Sequence, residues 1–259
     1  MIYLTREDWN NFFLPKLTQD NKSFFTELKH IKNIHSIMQY INSKIKISNQ
    51  IVLSISMIYF HKFYNQTLIN LINITPLDKL IICGSCIFIA TKSSNHLIRV
   101  SVIVNIIMDI IKKKLPNLNI DLDTIKEKNF SKRISNFIIN RFFVLILSHH
   151  INIYYKNYFD SITNISSQIL IDSCFQFISD SFLLPISLYY TPNLISISCV
   201  KVMKEKFNLV DININDLISL SEYKIDLNEL NECYSIIKKL YDKEENLTNN
   251  SSLSTKNSN

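Results

Sequence analysis

Apolar residues recur along this chain at helical spacing, in long runs separated by short polar breaks. Thr5-Arg6-Glu7-Asp8 resembles a capping arrangement, and Trp9, Phe12, Phe13 and Leu14 supply an apolar side, so residues 1–22 read as an arm with one short helix. A helix is predicted over 24–44. Ser48 can cap the next, over 49–65, where Ile51, Ile55, Ile58, Tyr59 and Phe63 recur on one face. Thr75-Pro76 opens a third, with Pro at its first position and Asp78 in its first turn, running to about Lys92. A fourth covers 97–115 and stops at Pro116; a fifth covers roughly 125–148. Further helices are predicted near 165–182, 192–206, 214–222 and 226–242. The tail after Glu245 lacks the apolar content to fold.

Composition sharpens this to a fold class. The 259 residues contain one Gly and five Pro, too few for a protein built on tight hairpins, so the chain is expected to be all-α. The one glycine, Gly84, falls inside the third helix, where it costs about 1 kcal/mol relative to alanine. Close approach of another helix would account for it.

The pattern also repeats. SNQIVLSISMIYFHKFY from Ser48 is echoed by SSQILIDSCFQFISDSF from Ser166, and TPLDKLIIC from Thr75 by TPNLISISC from Thr191. A cysteine lies seven residues after the proline in both copies, at Cys83 and Cys199. Two anchors in the same order at nearly equal offset imply a duplicated helical unit. The domains are then an arm (1–22), a first unit (23–150), a second unit (151–245) and a tail (246–259).

Charge and chemistry exclude more than they assign. The net charge is +6, concentrated at Lys112–Lys114 and in KEKNFSKR (126–133), stretches that read as solvated helix ends; direct nucleic-acid binding is not expected. No uncharged apolar run reaches the ~18–20 residues of a membrane span, since 97–111 carries Arg99, Asn105 and Asp109. Arg6, Glu7 and Asp8 interrupt any signal-peptide pattern, so a soluble intracellular protein is expected. Five cysteines suggest no disulfide framework; Cys83 and Cys86 form a C-x-x-C amid apolar residues and read as buried thiols. His149-His150 are adjacent on a helix and diverge, so no metal or cofactor is expected. His61 reads as a buried histidine. A phosphate-binding glycine loop is impossible with one Gly, and no catalytic motif is present, so the chain does not read as an enzyme.

A duplicated unit of about five helices, one carrying Tyr59-Phe60-His61-Lys62-Phe63-Tyr64 and the next ending IFIATK at Lys92, resembles the cyclin fold: tandem five-helix cyclin boxes. KISNQIVLSISMIYFHKFY (46–64) is similar to the family's second helix. INRFFVLILSHHINI (139–153) is similar to its fifth helix and following linker. YLTREDW (3–9) resembles the arm of K and T cyclins, pointing to the transcription-associated branch (K, T, L or C type). The docking motif of cell-cycle cyclins is absent; its place reads HIKNI (30–34).

The resemblance implies an activating subunit forming a heterodimer with a cyclin-dependent kinase, in transcription or RNA-processing control, in the nucleus alone or also in the cytoplasm. It implies a kinase interface of Ile89, Lys92, Asn140, Val144, His149 and Ile151, with Lys92 donating to backbone carbonyls that end a kinase helix. Arg133, Asn136, Asn140 and Val144 recur at helical spacing, as a partner-facing side would. Two departures stand out. Asn140 occupies the place of the family's glutamate, and Ser93-Ser94 replace the acidic pair that usually follows the lysine. Two alternatives remain: a two-box DNA-binding factor resembling transcription factor IIB, against which stands the lack of any Cys before Cys83 for a zinc ribbon, and a cyclin-fold scaffold that activates no kinase.

Overall fold

The structure, a computed structural model, describes residues 6–15, 21–45, 50–67, 74–96, 98–114, 155–162, 167–221 and 224–242. Among the described residues every regular element is helical and no strand forms. The chain divides into two compact units, Met1–Leu145 with Ser187–Tyr189, and Ile146–Ile186 with Tyr190–Asn259.

In the first unit the arm forms a helical turn, Arg6–Asp8, that widens into a π-turn, Trp9–Phe13. Trp9 is fully buried and stacks on Tyr189 at 5.1 Å between ring centroids, while the Arg6 guanidinium donates to the Tyr189 hydroxyl at 3.1 Å. Four helices follow: α1 (Asn21–Lys44), α2 (Gln50–Thr67), α3 (Pro76–Ser93) and α4 (Val100–Lys114). The fifth helix expected at 125–148 lies outside the described residues, as do KEKNFSKR and the tail.

Helix α3 is the centre of this unit. It touches α1, α2 and α4, and every residue from Leu80 to Ile87 is buried. A helix apolar all round has to be surrounded, and IICGSCIFIA meets that condition. Helix α4 instead buries one stripe, Ile103, Val104, Ile107, Ile110 and Ile111, and turns Asn105, Asp109 and Lys112 outward. Gly84 is where the two helices meet. A β-carbon there would stand 2.6 Å from Ile107 Cδ1 and 3.0 Å from Ile103 Cγ2, so the lone glycine is the expected point of close approach.

The second unit has α5 (Lys156–Ile162), α6 (Ser167–Ser181), α7 (Pro192–Lys206), α8 (Ile214–Ser219) and α9 (Leu227–Lys238), while a 3-10 turn (Pro185–Leu188) is divided between the two units. Helix α7 is its centre, touching α6, α8 and α9, with Pro192–Val200 buried throughout. Helices α8 and α9 end before the expected 222 and 242. Their last carbonyls are taken by tighter bonds, as when the Leu240 and Tyr241 amides donate to Ile237 and Lys238 at 3.0 and 2.9 Å. Helix α5, with Phe159 fully buried, was not anticipated, because seven residues are too few to show a period.

The two central helices begin alike. Thr75 (φ −63°, ψ 152°) and Thr191 (φ −69°, ψ 155°) are extended N-caps, each followed by Pro at the first helical position. Only Thr75 caps with its side chain, accepting from the Asp78 amide at 3.1 Å. Cys83 and Cys199, each seven residues after the proline, are both fully buried.

Candidate functional site at the end of helix α3

Helix α3 ends in a Schellman motif. The His96 amide donates to the Thr91 carbonyl at 2.8 Å, the Asn95 amide donates to Lys92 at 3.1 Å, and Asn95 is left-handed at φ 59°. Three hydroxyls fold back on the last turn. Thr91 donates to the Phe88 carbonyl at 2.8 Å, Ser93 to Ile89 at 3.0 Å and Ser94 to Ala90 at 2.8 Å. Because Ser93 gives its one proton to Ile89, the Tyr59 hydroxyl must be the donor in the 2.8 Å contact between them. The first tyrosine of YFHKFY thereby ties α2 to the end of α3. Ser93 and Ser94, at the places where an acidic pair was the family pattern, point at the helix's own carbonyls.

Lys92 is the side chain this cap leaves outside. It is exposed, in the last turn where a cation complements the helix dipole, and its ammonium sits 4.4 Å from the centroid of the Phe88 ring. That cation–π contact contributes about 0.5–1 kcal/mol at an exposed site. Among the described residues Lys92 makes no ion pair, so its N–H donors remain available to carbonyl oxygens. Ile89 is 7% exposed and belongs to the core, with its carbonyl holding Ser93. Half-buried Phe88 and exposed Lys92 form the surface here. Phe88 was missed in sequence, although F-x-x-x-K is the spacing that stacks two side chains on one helix face. Asn140, Val144, His149 and Ile151 lie outside the described residues.

The second unit has the same cap with different chemistry. After α7, Asn208 is left-handed at φ 52°, its amide donates to Glu205 at 3.3 Å, and the Leu209 amide donates to Lys204 at 2.9 Å. Three residues before the left-handed asparagine stands Lys92 in one unit and Glu205 in the other. Glu205 is not left to a partner: it accepts from the Lys238 ammonium and the Tyr234 hydroxyl of α9. Those two bonds, the Lys238 one foremost, hold its carboxyl below the usual glutamate value.

Elsewhere the side chains with chemical potential are buried. All five cysteines are free and buried, and desolvation pushes every thiol up. The Cys83 thiol faces the Ile34 carbonyl at 3.8 Å, as fits a core residue rather than a redox pair. His61 is 1% exposed. No group of three or more metal-ligating side chains gathers among the described residues, and no helix there is long and apolar enough to cross a membrane. No family model matches the chain, and no curated protein matches it either.

Proposed function

We propose that this chain is a cyclin-type regulatory subunit that binds and activates a cyclin-dependent protein kinase. The observation that carries the reading is the unequal finish of the two duplicated central helices. The same cap presents at Lys92 an ammonium with no ion partner among the described residues, where the second unit satisfies Glu205 internally. An exposed lysine beside an aromatic ring suits the carbonyl end of a partner helix, and each charge-assisted hydrogen bond there contributes roughly 1.5–3 kcal/mol.

In this mechanism the first unit holds the kinase's mobile helix in the orientation that completes the Lys–Glu ion pair of its active site. Shifting a kinase from 1% to 99% active takes about 5.5 kcal/mol of differential binding, within the reach of an ordinary interface. Asn140 can hydrogen-bond but supplies no carboxylate, so Lys92 carries more of the polar contact than in a cyclin with the usual glutamate. The similarity of the arm to K and T cyclins favours a nuclear role in transcription or RNA processing, acting on the tail of RNA polymerase II or a splicing factor.

The test is affinity purification of the tagged protein from its native cells, with Lys92→Glu and Val144→Arg as parallel baits. The expected result is one cyclin-dependent kinase recovered with the wild type and lost from both variants. Recovery of promoter DNA or scaffold proteins with no kinase would overturn the assignment.

A further inference from the structure

A second surface, wholly within the second unit, has the chemistry of a peptide groove. Between the end of α7, the loop that follows it, and α9 lies an open cavity of about 400 Å³ lined by Lys201, Lys204, Leu209, Val210, Ile214 and Tyr234, together with exposed Glu205 and Asn208. That volume falls within the range of ordinary ligand sites. Val210 is 83% exposed, yet its loop is pinned on both sides. The Leu209 amide is fixed in the helix cap, and Ile212 is fully buried, its carbonyl accepting from the Lys204 ammonium. An aliphatic side chain is thus held in solvent by an anchored loop.

The free charge within its lining is one-sided. The only carboxylate in the lining, Glu205, is engaged at both oxygens by Tyr234 and Lys238. Lys201 donates once to Asn231 Oδ1 at 2.8 Å and lies 4.3 Å from the Tyr234 ring centroid; Lys204 donates once to Ile212. Each ammonium carries three donors, so each retains two that can face the groove. Tyr234 lies within 5.9 Å of a second ammonium, Lys238, on the same ring.

We infer that this groove binds an acidic peptide segment carrying aliphatic side chains, its carboxylates meeting Lys201 and Lys204 and an aliphatic residue covering Val210 and Leu209. A polyphosphate chain fits less well. Exposed Asp211 and Asp216 lie outside the lining and weigh equally against either anion, so the aliphatic part of the lining, Leu209, Val210 and Ile214, decides between them: it offers a polyphosphate nothing to pair with. The inference is independent of whether the chain holds a kinase.

Fluorescence anisotropy with the full chain tests it, using a fluorescein-labelled twelve-residue probe of alternating Asp and Leu. Control probes carry Lys for Asp or Ser for Leu, and a labelled single-stranded RNA is run beside them. Saturable binding of the Asp/Leu probe alone is expected, weakened about tenfold by Lys201→Glu, the effect of losing one charge-assisted contact. Val210→Asp, at an exposed position that does not threaten the fold, is expected to weaken it as much. Absence of saturable binding, equal binding to both variants, or preference for the RNA would overturn the inference.

Discussion

Replacing Gly84 by alanine sets two opposed effects against each other, and the structure decides between them. In a helix interior alanine is favoured over glycine by about 1 kcal/mol, so helix propensity alone makes Gly84→Ala stabilising. The new β-carbon, however, would stand 2.6 Å from Ile107 Cδ1 and 3.0 Å from Ile103 Cγ2. Both isoleucines are core residues, 3% and 4% exposed, with little room to turn. Overpacking of this kind costs about 1–3 kcal/mol, which leaves a net loss of roughly 1 kcal/mol. Because the worst contact is with Cδ1, Ile107→Val removes the offending atom. That change alone costs about 0.5–1.5 kcal/mol, but it should recover about 1 kcal/mol when combined with Gly84→Ala. Urea unfolding followed by the emission of Trp9, the only tryptophan and a buried residue of the first unit, gives the four stabilities of the cycle. A higher urea midpoint for Gly84→Ala, or additivity of the two changes within about 0.5 kcal/mol, would refute the close-contact argument.

Thr75→Ala should cost about 1 kcal/mol through loss of the bond to the Asp78 amide, while Thr191→Ala, which loses no side-chain cap, should cost measurably less; paired thermal melts compare them. Glu205→Gln should lower stability by at most about 1 kcal/mol at neutral pH, since the carboxylate is half exposed. Its folded value is depressed, so this contribution is present above the ordinary value near 4.5 and lost as pH falls through the lower folded value; wild type and variant should converge in acid. All five thiols should resist alkylation in the native protein at pH 8. With graded denaturant, Cys83 and Cys86 should label together, and Cys174, Cys199 and Cys233 together, as read by mass spectrometry of peptides.

Much of the helical order was legible because each central helix announces its start with Thr-Pro and continues in a run of apolar and small residues with no charge between Lys79 and Lys92 in one and before Lys201 in the other. The crossing at Gly84 was legible because a glycine inside such a run has few other uses. The helix ends were less so. Asn95 and Asn208 look like ordinary polar residues until their backbone is seen to be left-handed, and the inward turn of Ser93 and Ser94 depends on carbonyls that no sequence pattern displays. Phe88 had a local signal, its spacing to Lys92. Trp9 on Tyr189 had none, for 180 residues separate them and stacking leaves no periodic trace. The Glu205 cluster joins helices about thirty residues apart and is equally silent in the sequence.

The left-handed asparagines bear on how this chain is encoded. Its abundance of Asn, Ile and Lys is that of an A+T-rich coding sequence, in which glycine codons, all beginning GG, are disfavoured. A left-handed residue after a helix needs only tolerance of positive φ, and asparagine, with A-rich codons, supplies that at modest cost. A helix crossing with Ile107 2.6 Å from where a β-carbon would sit needs the absence of a side chain, and no other residue offers it. Under such mutational pressure drift at the codon for Gly84 meets a steric barrier, while Asn95 and Asn208 mark places where a glycine can be given up.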